Sequence, residues 1–313
     1  MGSMKAVRIH GYGGADVLAV EDAPRPSIGE GEVLVRVHAT SINPFDCAVR
    51  AGYLTGWYQY SMPLILGLDV SGVIEELGAG VTNFAVGDSV YGRSDPSKNG
   101  AYAEYAVLRA AEVAAKPKSL DHIHAAAIPH VALTAWEAVI KRANISQGQT
   151  ILVHAAAGGV GHMAVQFAKL RGAKVIGTAS GNHLDFLREL GVDEIIDYTA
   201  TSFENVVHDV DVVLDNVGGD TQERSWSLLK PGGILLSIVQ PPSVETAAAH
   251  GVRQQFVTAD QAGAEVLVEI AAMVDSGKLK PTVSAIFPLQ ETRRAHELSE
   301  TRHTRGKISV QVT

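Results

Sequence analysis

The feature that most constrains this chain is a glycine turn joining an apolar strand to an apolar helix. Ile151-Leu152-Val153-His154 reads as a strand, and Ala157-Gly158-Gly159-Val160-Gly161 follows it directly. Met163, Val165, Phe167, Ala168 and Leu170 then give Val160 to Arg171 helical spacing. Glycines here let the backbone turn tightly and approach a pyrophosphate, while the helix end offers unpaired N–H groups and a positive dipole to the anion. A tight strand–helix turn without a ligand is the competing reading. A second strand that closes at Ala179 favours the dinucleotide.

The end of that second strand selects the cofactor. A site for NAD usually carries an acid there to bond the ribose 2′-hydroxyl, whereas this chain has Thr178-Ala179-Ser180-Gly181-Asn182-His183. Without a carboxylate a 2′-phosphate meets no repulsion, and Ser180, Asn182 and His183 can donate to it. NADPH is therefore the expected cofactor, although Asn182 also suits the cap of the following helix.

Around this motif the texture of the chain changes. Up to about residue 120, short strand-like pieces (Glu32 to Ala39, Asp69 to Glu76, Ser89 to Tyr91, Tyr102 to Val107) are separated by turn signals such as Gly78-Ala79-Gly80 and Val86-Gly87-Asp88. That pattern suggests an antiparallel barrel. From about Ala125, apolar strands (Thr150 to Val153, Lys174 to Thr178, Glu194 to Asp197, Asp211 to Leu214, Gly233 to Val239) alternate with helices (Val160 to Arg171, Asn182 to Leu190, Thr221 to Leu229), which predicts a doubly wound parallel sheet. Helices over Ala264 to Ser276 and Glu291 to Glu300 and a strand over Lys307 to Val312 close the chain. The expected class is α/β, with one domain over 1–124 and 264–313 and a second over 125–263.

Composition removes several functions. Net charge is −8 without a basic block, so a nucleic-acid surface is not expected. Cys47 is the only cysteine, which excludes a disulfide framework and a multi-thiolate metal site and points to a reducing, cytoplasmic setting. No apolar run reads as long enough to span a membrane.

Taken in order, Ser41-Ile42-Asn43-Pro44-Phe45-Asp46, Leu66-Gly67-Leu68-Asp69-Val70-Ser71-Gly72-Val73, Val86-Gly87-Asp88-Ser89-Val90, Leu133-Thr134-Ala135-Trp136, the turn Ala156 to Gly161, Asp215-Asn216-Val217-Gly218-Gly219 and Arg305-Gly306-Lys307 resemble the zinc-free quinone oxidoreductase branch of the medium-chain dehydrogenases/reductases. The resemblance spans nearly the whole chain. It implies a GroES-like antiparallel β-barrel domain, a Rossmann domain, and hydride transfer from NADPH to a quinone or an α,β-unsaturated carbonyl, in a homodimer. Zinc enzymes of this superfamily place Cys at the position of Asn43 and His at that of Leu68; neither residue present can replace a thiolate or an imidazole on zinc.

The resemblance also distributes roles. Asn43 and Tyr53 would meet the substrate, Tyr53 as a phenol donor or as a rim aromatic. Asn43, Thr134, Ala157, Gly158, Gly159, Val160, Gly161, Ser180, Asn182, His183, Tyr198, Asn216, Val239 and Lys307 would line the cofactor, with Tyr198 toward the 2′-phosphate. Two departures stand out: Ala48 where the family often has a second tyrosine, and Asn182 where relatives carry Lys or Arg. A trans-acting enoyl reductase and a non-catalytic NADPH-binding sensor or structural protein are the alternative functions. His130, His154 and Cys47 read as packed residues, and Asp46 as a local structural acid.

Overall fold

The computed structural model describes residues 2–259 and 263–313. It divides into two compact units, 1–130 with 263–313, and 131–262. The first boundary falls later than the break in sequence texture. The short helix His122–Ala125 belongs with the first unit, where His122 Nδ1 lies 2.8 Å from the Ser71 hydroxyl.

The first unit is GroES-like. A seven-stranded sheet runs Val283–Pro288, Lys307–Gln311, Glu32–Ile42, Asp69–Leu77, Ser89–Arg93 and Val113–Ala115, with Tyr105–Arg109 also paired to Glu32–Ile42. All its pairings are antiparallel except that of Val283–Pro288 with Lys307–Gln311. The long strand Glu32–Ile42 is central because Val33, Val35 and Val37 alternate into a core with Val70, Ile74, Val90 and Leu108. A three-stranded sheet of Ala19–Pro24, Ser3–Ile9 and Leu64–Ile65 covers a second core.

The second unit is a Rossmann domain. Its six parallel strands lie in the order Glu194–Asp197, Lys174–Ala179, Thr150–Val153, Val210–Asp215, Leu229–Ser237, Arg253–Phe256. Numbered along the chain this is 3-2-1-4-5-6, the order that opens a crevice where the strand sequence reverses. Leu152, Val213 and Leu235 are fully buried at its centre.

The differences from the sequence reading have local causes. Tyr102 does not join the strand that begins at Tyr105; its backbone bonds Leu66 and Val7 instead. The predicted helix over Asn182 to Leu190 is a 3₁₀ turn, Gly181–His183, followed by Leu184–Glu189. The predicted helix over Thr221 to Leu229 is Asp220–Ser225 with a 3₁₀ turn, Trp226–Leu228, and Leu229 already lies in the next strand. One run, His122–Arg142, is long and apolar enough by length and composition to cross a bilayer, contrary to the sequence reading. Its most apolar window is 78% buried within the protein, as expected of a core helix.

Candidate cofactor and active site

In the Rossmann unit the glycine turn is built from its neighbours upward. His154, 1% exposed, directly follows the first strand. The Ser225 hydroxyl donates to Thr221 O, so it accepts from His154 Nε2 at 3.0 Å. The Thr178 hydroxyl accepts from Ala155 N and donates to Nδ1 at 3.1 Å. This pairing assigns the neutral Nε2–H tautomer. Burial lowers its pKa to about 4, against the opposing pull of Asp215. Ala155 follows with φ of 48°, a strained value for a residue with a Cβ.

Gly158 caps the helix Gly159–Leu170 with extended backbone and no capping side chain. The first backbone bond inside the helix comes from His162 N to Gly158 O, so the N–H groups of Gly159, Val160 and Gly161 have no helical acceptor. Gly158, Gly159 and Val160 are half-buried, while Ala157 and Gly161 are buried beneath them. A Cβ on Gly161 would lie 2.3 Å from Ala155 O and 2.8 Å from Ala156 Cα. The helix can start this close to the turn only because that position has no side chain.

Asp215 pins the other lip of the crevice. Its buried carboxylate accepts from Val217 N, Gly218 N, Gln222 Nε2 and Ser237 Oγ at 2.8–2.9 Å. Asn216 is thereby aimed back at the first strand, donating to His154 O at 2.7 Å, while its Oδ1 is buried without a donor among the described residues. That empty acceptor, the uncapped helix start and the bare Gly161 fit a dinucleotide with hydroxyl and phosphate groups. Val239 is 51% exposed just past the strand Leu229–Ser237, and Thr134 is buried on the helix Pro129–Trp136.

At the end of the second strand, Ser180 and His183 are half-buried and Asn182 is exposed. Tyr198, 53% exposed, is tied to this strand by its N–H to Ala179 O at 3.2 Å. The sequence reading missed an acid here. Asp197, paired with Ala179 across the sheet, accepts from the Thr199 hydroxyl and N–H and from Gly181 N, which hold its carboxyl below the usual range. The end of the second strand therefore has a carboxylate beside it, delivered by the neighbouring strand.

In the GroES-like unit, Asn43 precedes the helix Pro44–Arg50. Asp46 accepts the Asn43 N–H at 2.8 Å, the local structural role read from sequence. Burial raises the Asp46 pKa to about 7, opposed by that N–H and by Lys307. The Asn43 side chain, 0% exposed, donates to Asp69 Oδ2 at 2.8 Å and accepts from Lys307 Nζ at 2.5 Å. Asp69 also accepts from Ser41 Oγ at 2.5 Å and His130 N at 2.7 Å. Burial would raise the Asp69 pKa, but Lys307, His130, Ser41 and Asn43 together hold it below the ordinary carboxylate range. Burial likewise lowers the Lys307 pKa, and Asp69 opposes the shift.

Asn43 and Lys307 are thus brought together, but Tyr53 is not. It sits in the turn after Pro44–Arg50, 81% exposed, and its phenol makes no hydrogen bond among the described residues. Trp57 beside it is 67% exposed. Tyr58 packs edge-on against Phe45 at 5.8 Å, and Tyr60 donates to Pro96 O at 2.8 Å. Burial pushes the Cys47 thiol up to about 12, so it is a packed and unreactive group, 3.4 Å from His296 Nδ1. Among the described residues no group of three His, Cys, Asp or Glu side chains is placed to hold a metal.

A 3-2-1-4-5-6 parallel sheet with this turn, joined to a GroES-like unit, defines a dinucleotide-dependent oxidoreductase architecture. Residues 29–118 match the alcohol dehydrogenase GroES-like domain, and residues 190–310 the zinc-binding dehydrogenase family. The chain is 35% identical to the mitochondrial NAD(P)H oxidoreductase RTN4IP1 of Danio rerio, over 99% of this chain and 91% of that protein. It is 35% identical to the chloroplastic NADPH-dependent alkenal/one oxidoreductase of Arabidopsis thaliana, over 98% and 79%. The quinone oxidoreductase structure from Coxiella burnetii superposes with a TM-score of 0.92 at 36% identity, over the full length of both chains. The chain belongs to the quinone oxidoreductase branch of the medium-chain dehydrogenase/reductase superfamily.

Proposed function

We propose that this protein transfers hydride from NADPH to a quinone or an α,β-unsaturated carbonyl without zinc. The observation that carries the reading is the pair Asn43 and Leu68 at the positions where zinc relatives have Cys and His. Leu68 is 4% exposed and has no donor atom, and the Asn43 amide is already held between Lys307 and Asp69.

Bound NADPH would supply the hydride; the chain supplies position and charge. The N–H groups of Gly159, Val160 and Gly161 receive the pyrophosphate. Ser180, Asn182, His183 and Tyr198 face the 2′-phosphate, and Thr134, Asn216 and Val239 serve the nicotinamide half. Asn43 offers an N–H to an oxygen that gains negative charge in reduction, which lowers the barrier if that bond strengthens in the transition state. Acceptors that are already electrophilic require no stronger acid, consistent with Ala48 in place of a second tyrosine. Tyr53 and Trp57 offer exposed aromatic surface to a flat, uncharged acceptor. A reducing compartment, cytoplasmic in our reading, suits the single thiol.

The test is NADPH consumption with a panel of small quinones and enones, run with and without a strong chelator. Turnover unchanged by chelation is expected. Chelator-sensitive turnover would refute the zinc-free mechanism, and tight NADPH binding with silence across the panel would favour a sensor.

A further inference from the structure

Three neighbouring strands converge on Asn43. It follows the strand Glu32–Ile42, which pairs on one side with Lys307–Gln311 and on the other with Asp69–Leu77. Each neighbour places its first residue against the amide: Lys307 on the oxygen, Asp69 on the nitrogen. Both are buried, at 3% and 0% exposure.

A primary amide is nearly symmetric in shape, so only its partners decide which end is the donor. Rotating the Asn43 amide by half a turn would put its NH₂ against the Lys307 ammonium and its oxygen against the Asp69 carboxylate. Both contacts would be repulsive and buried, where an unmade hydrogen bond to a charge is costly. The ammonium is also anchored. Two of its N–H groups donate to Ile42 O at 2.7 Å and Asn43 Oδ1 at 2.5 Å, and the ammonium lies 3.4 Å from Asp69 Oδ2 as an ion pair. The ammonium thus holds the amide oxygen from inside the cluster. By contrast Nδ2 of Asn43 carries two hydrogens, and only one is donated among the described residues.

Resting on the hydride-transfer reading, we infer that Lys307 and Asp69 are positioning residues that lock the Asn43 amide with one N–H reserved for an acceptor oxygen of the bound reactants. That oxygen belongs either to a ribose hydroxyl of the cofactor or to the carbonyl of the acceptor substrate. Lys307 and Asp69 act only through Asn43 and touch no reacting atom.

A mutant cycle tests this. Replacing Lys307→Met together with Asp69→Asn removes both charges at once, which avoids stranding one of them. NADPH affinity is read from nicotinamide fluorescence, and kcat and KM from enone reduction. The double substitution should lose about tenfold or more in one readout, and nothing further when added to Asn43→Ala, because residues acting through one group are not additive. Loss in NADPH affinity assigns the oxygen to the cofactor; loss in kcat/KM at unchanged NADPH affinity assigns it to the substrate. A double variant within about twofold of wild type in both readouts, or a further loss on top of Asn43→Ala, would overturn the assignment. Should the double variant fail to fold, Lys307→Arg keeps the charge. Its planar fork cannot meet the same three oxygens, so it should show a partial loss that vanishes in the Asn43→Ala background. A wild-type protein that binds no NADPH would overturn the hydride-transfer reading itself and this assignment with it.

Discussion

Lowering the pH should destabilise the Rossmann unit through His154, by an amount that follows from its surroundings. The imidazole is 1% exposed, donates to Ser225 and accepts from Thr178, so a second proton would bury a charge away from water. Its pKa falls to about 4 in the fold, against 6.5 for an unperturbed histidine. A base with a lowered pKa contributes stability that is complete above the unfolded value and is lost as pH falls toward the folded one. The window is therefore about pH 6.5 to 4. At pH 5 the unfolded imidazole is almost wholly protonated, whereas the folded one is about nine-tenths neutral, and linkage gives a loss of about 2 kcal/mol between pH 7 and pH 5.

Other groups titrate over the same range, so the measurement must be differential. Asp46, raised to about 7, works with the opposite sign: its contribution grows as pH falls from 7 toward 4. His154→Gln removes the titration at one position only. At pH 7 it should cost about 1–3 kcal/mol in broken hydrogen bonds. Urea unfolding followed through the buried Trp226 and Trp136 of the same unit reports the stability of both proteins. The gap between wild type and variant should shrink by about 2 kcal/mol from pH 7 to pH 5. Parallel curves over that range would show that the folded histidine accepts its proton freely, and the buried neutral assignment would fail.

Two further outcomes bear on the cofactor end. Gly161→Ala should destabilise the Rossmann unit by about 2–4 kcal/mol or abolish NADPH binding, since its Cβ would meet rigid backbone at Ala155 and Ala156; a variant with unchanged melting and affinity would contradict the packing described for the turn. Asn182→Lys should raise the affinity for NADPH over NADH by about tenfold, by supplying a cation opposite the 2′-phosphate and offsetting Asp197. Competition binding checks it, and an unchanged ratio would show that the phosphate does not lie at that loop.

The sequence alone determined the parts whose requirements are local. A strand, a glycine turn and a helix within some twenty residues (Thr150 to Leu170) impose their own geometry, so the turn and the parallel-sheet unit are legible before any tertiary contact is known. The zinc-free proposal is local as well, because ligand chemistry depends on residue type: it is argued from Asn43 and Leu68 without coordinates. Tertiary structure decided what depends on pairing between distant strands. Lys307 meets an Asn43 that is 264 residues away, and Asp69 reaches the same amide from 26 residues away. No periodicity records that juxtaposition, because it is created by strand order. Asp197 escaped notice for the same reason, since its carboxylate arrives at the end of the second strand from the third. Sequence patterns report which residues suit a strand or a turn; which charge lies opposite which donor is settled only when the sheets close.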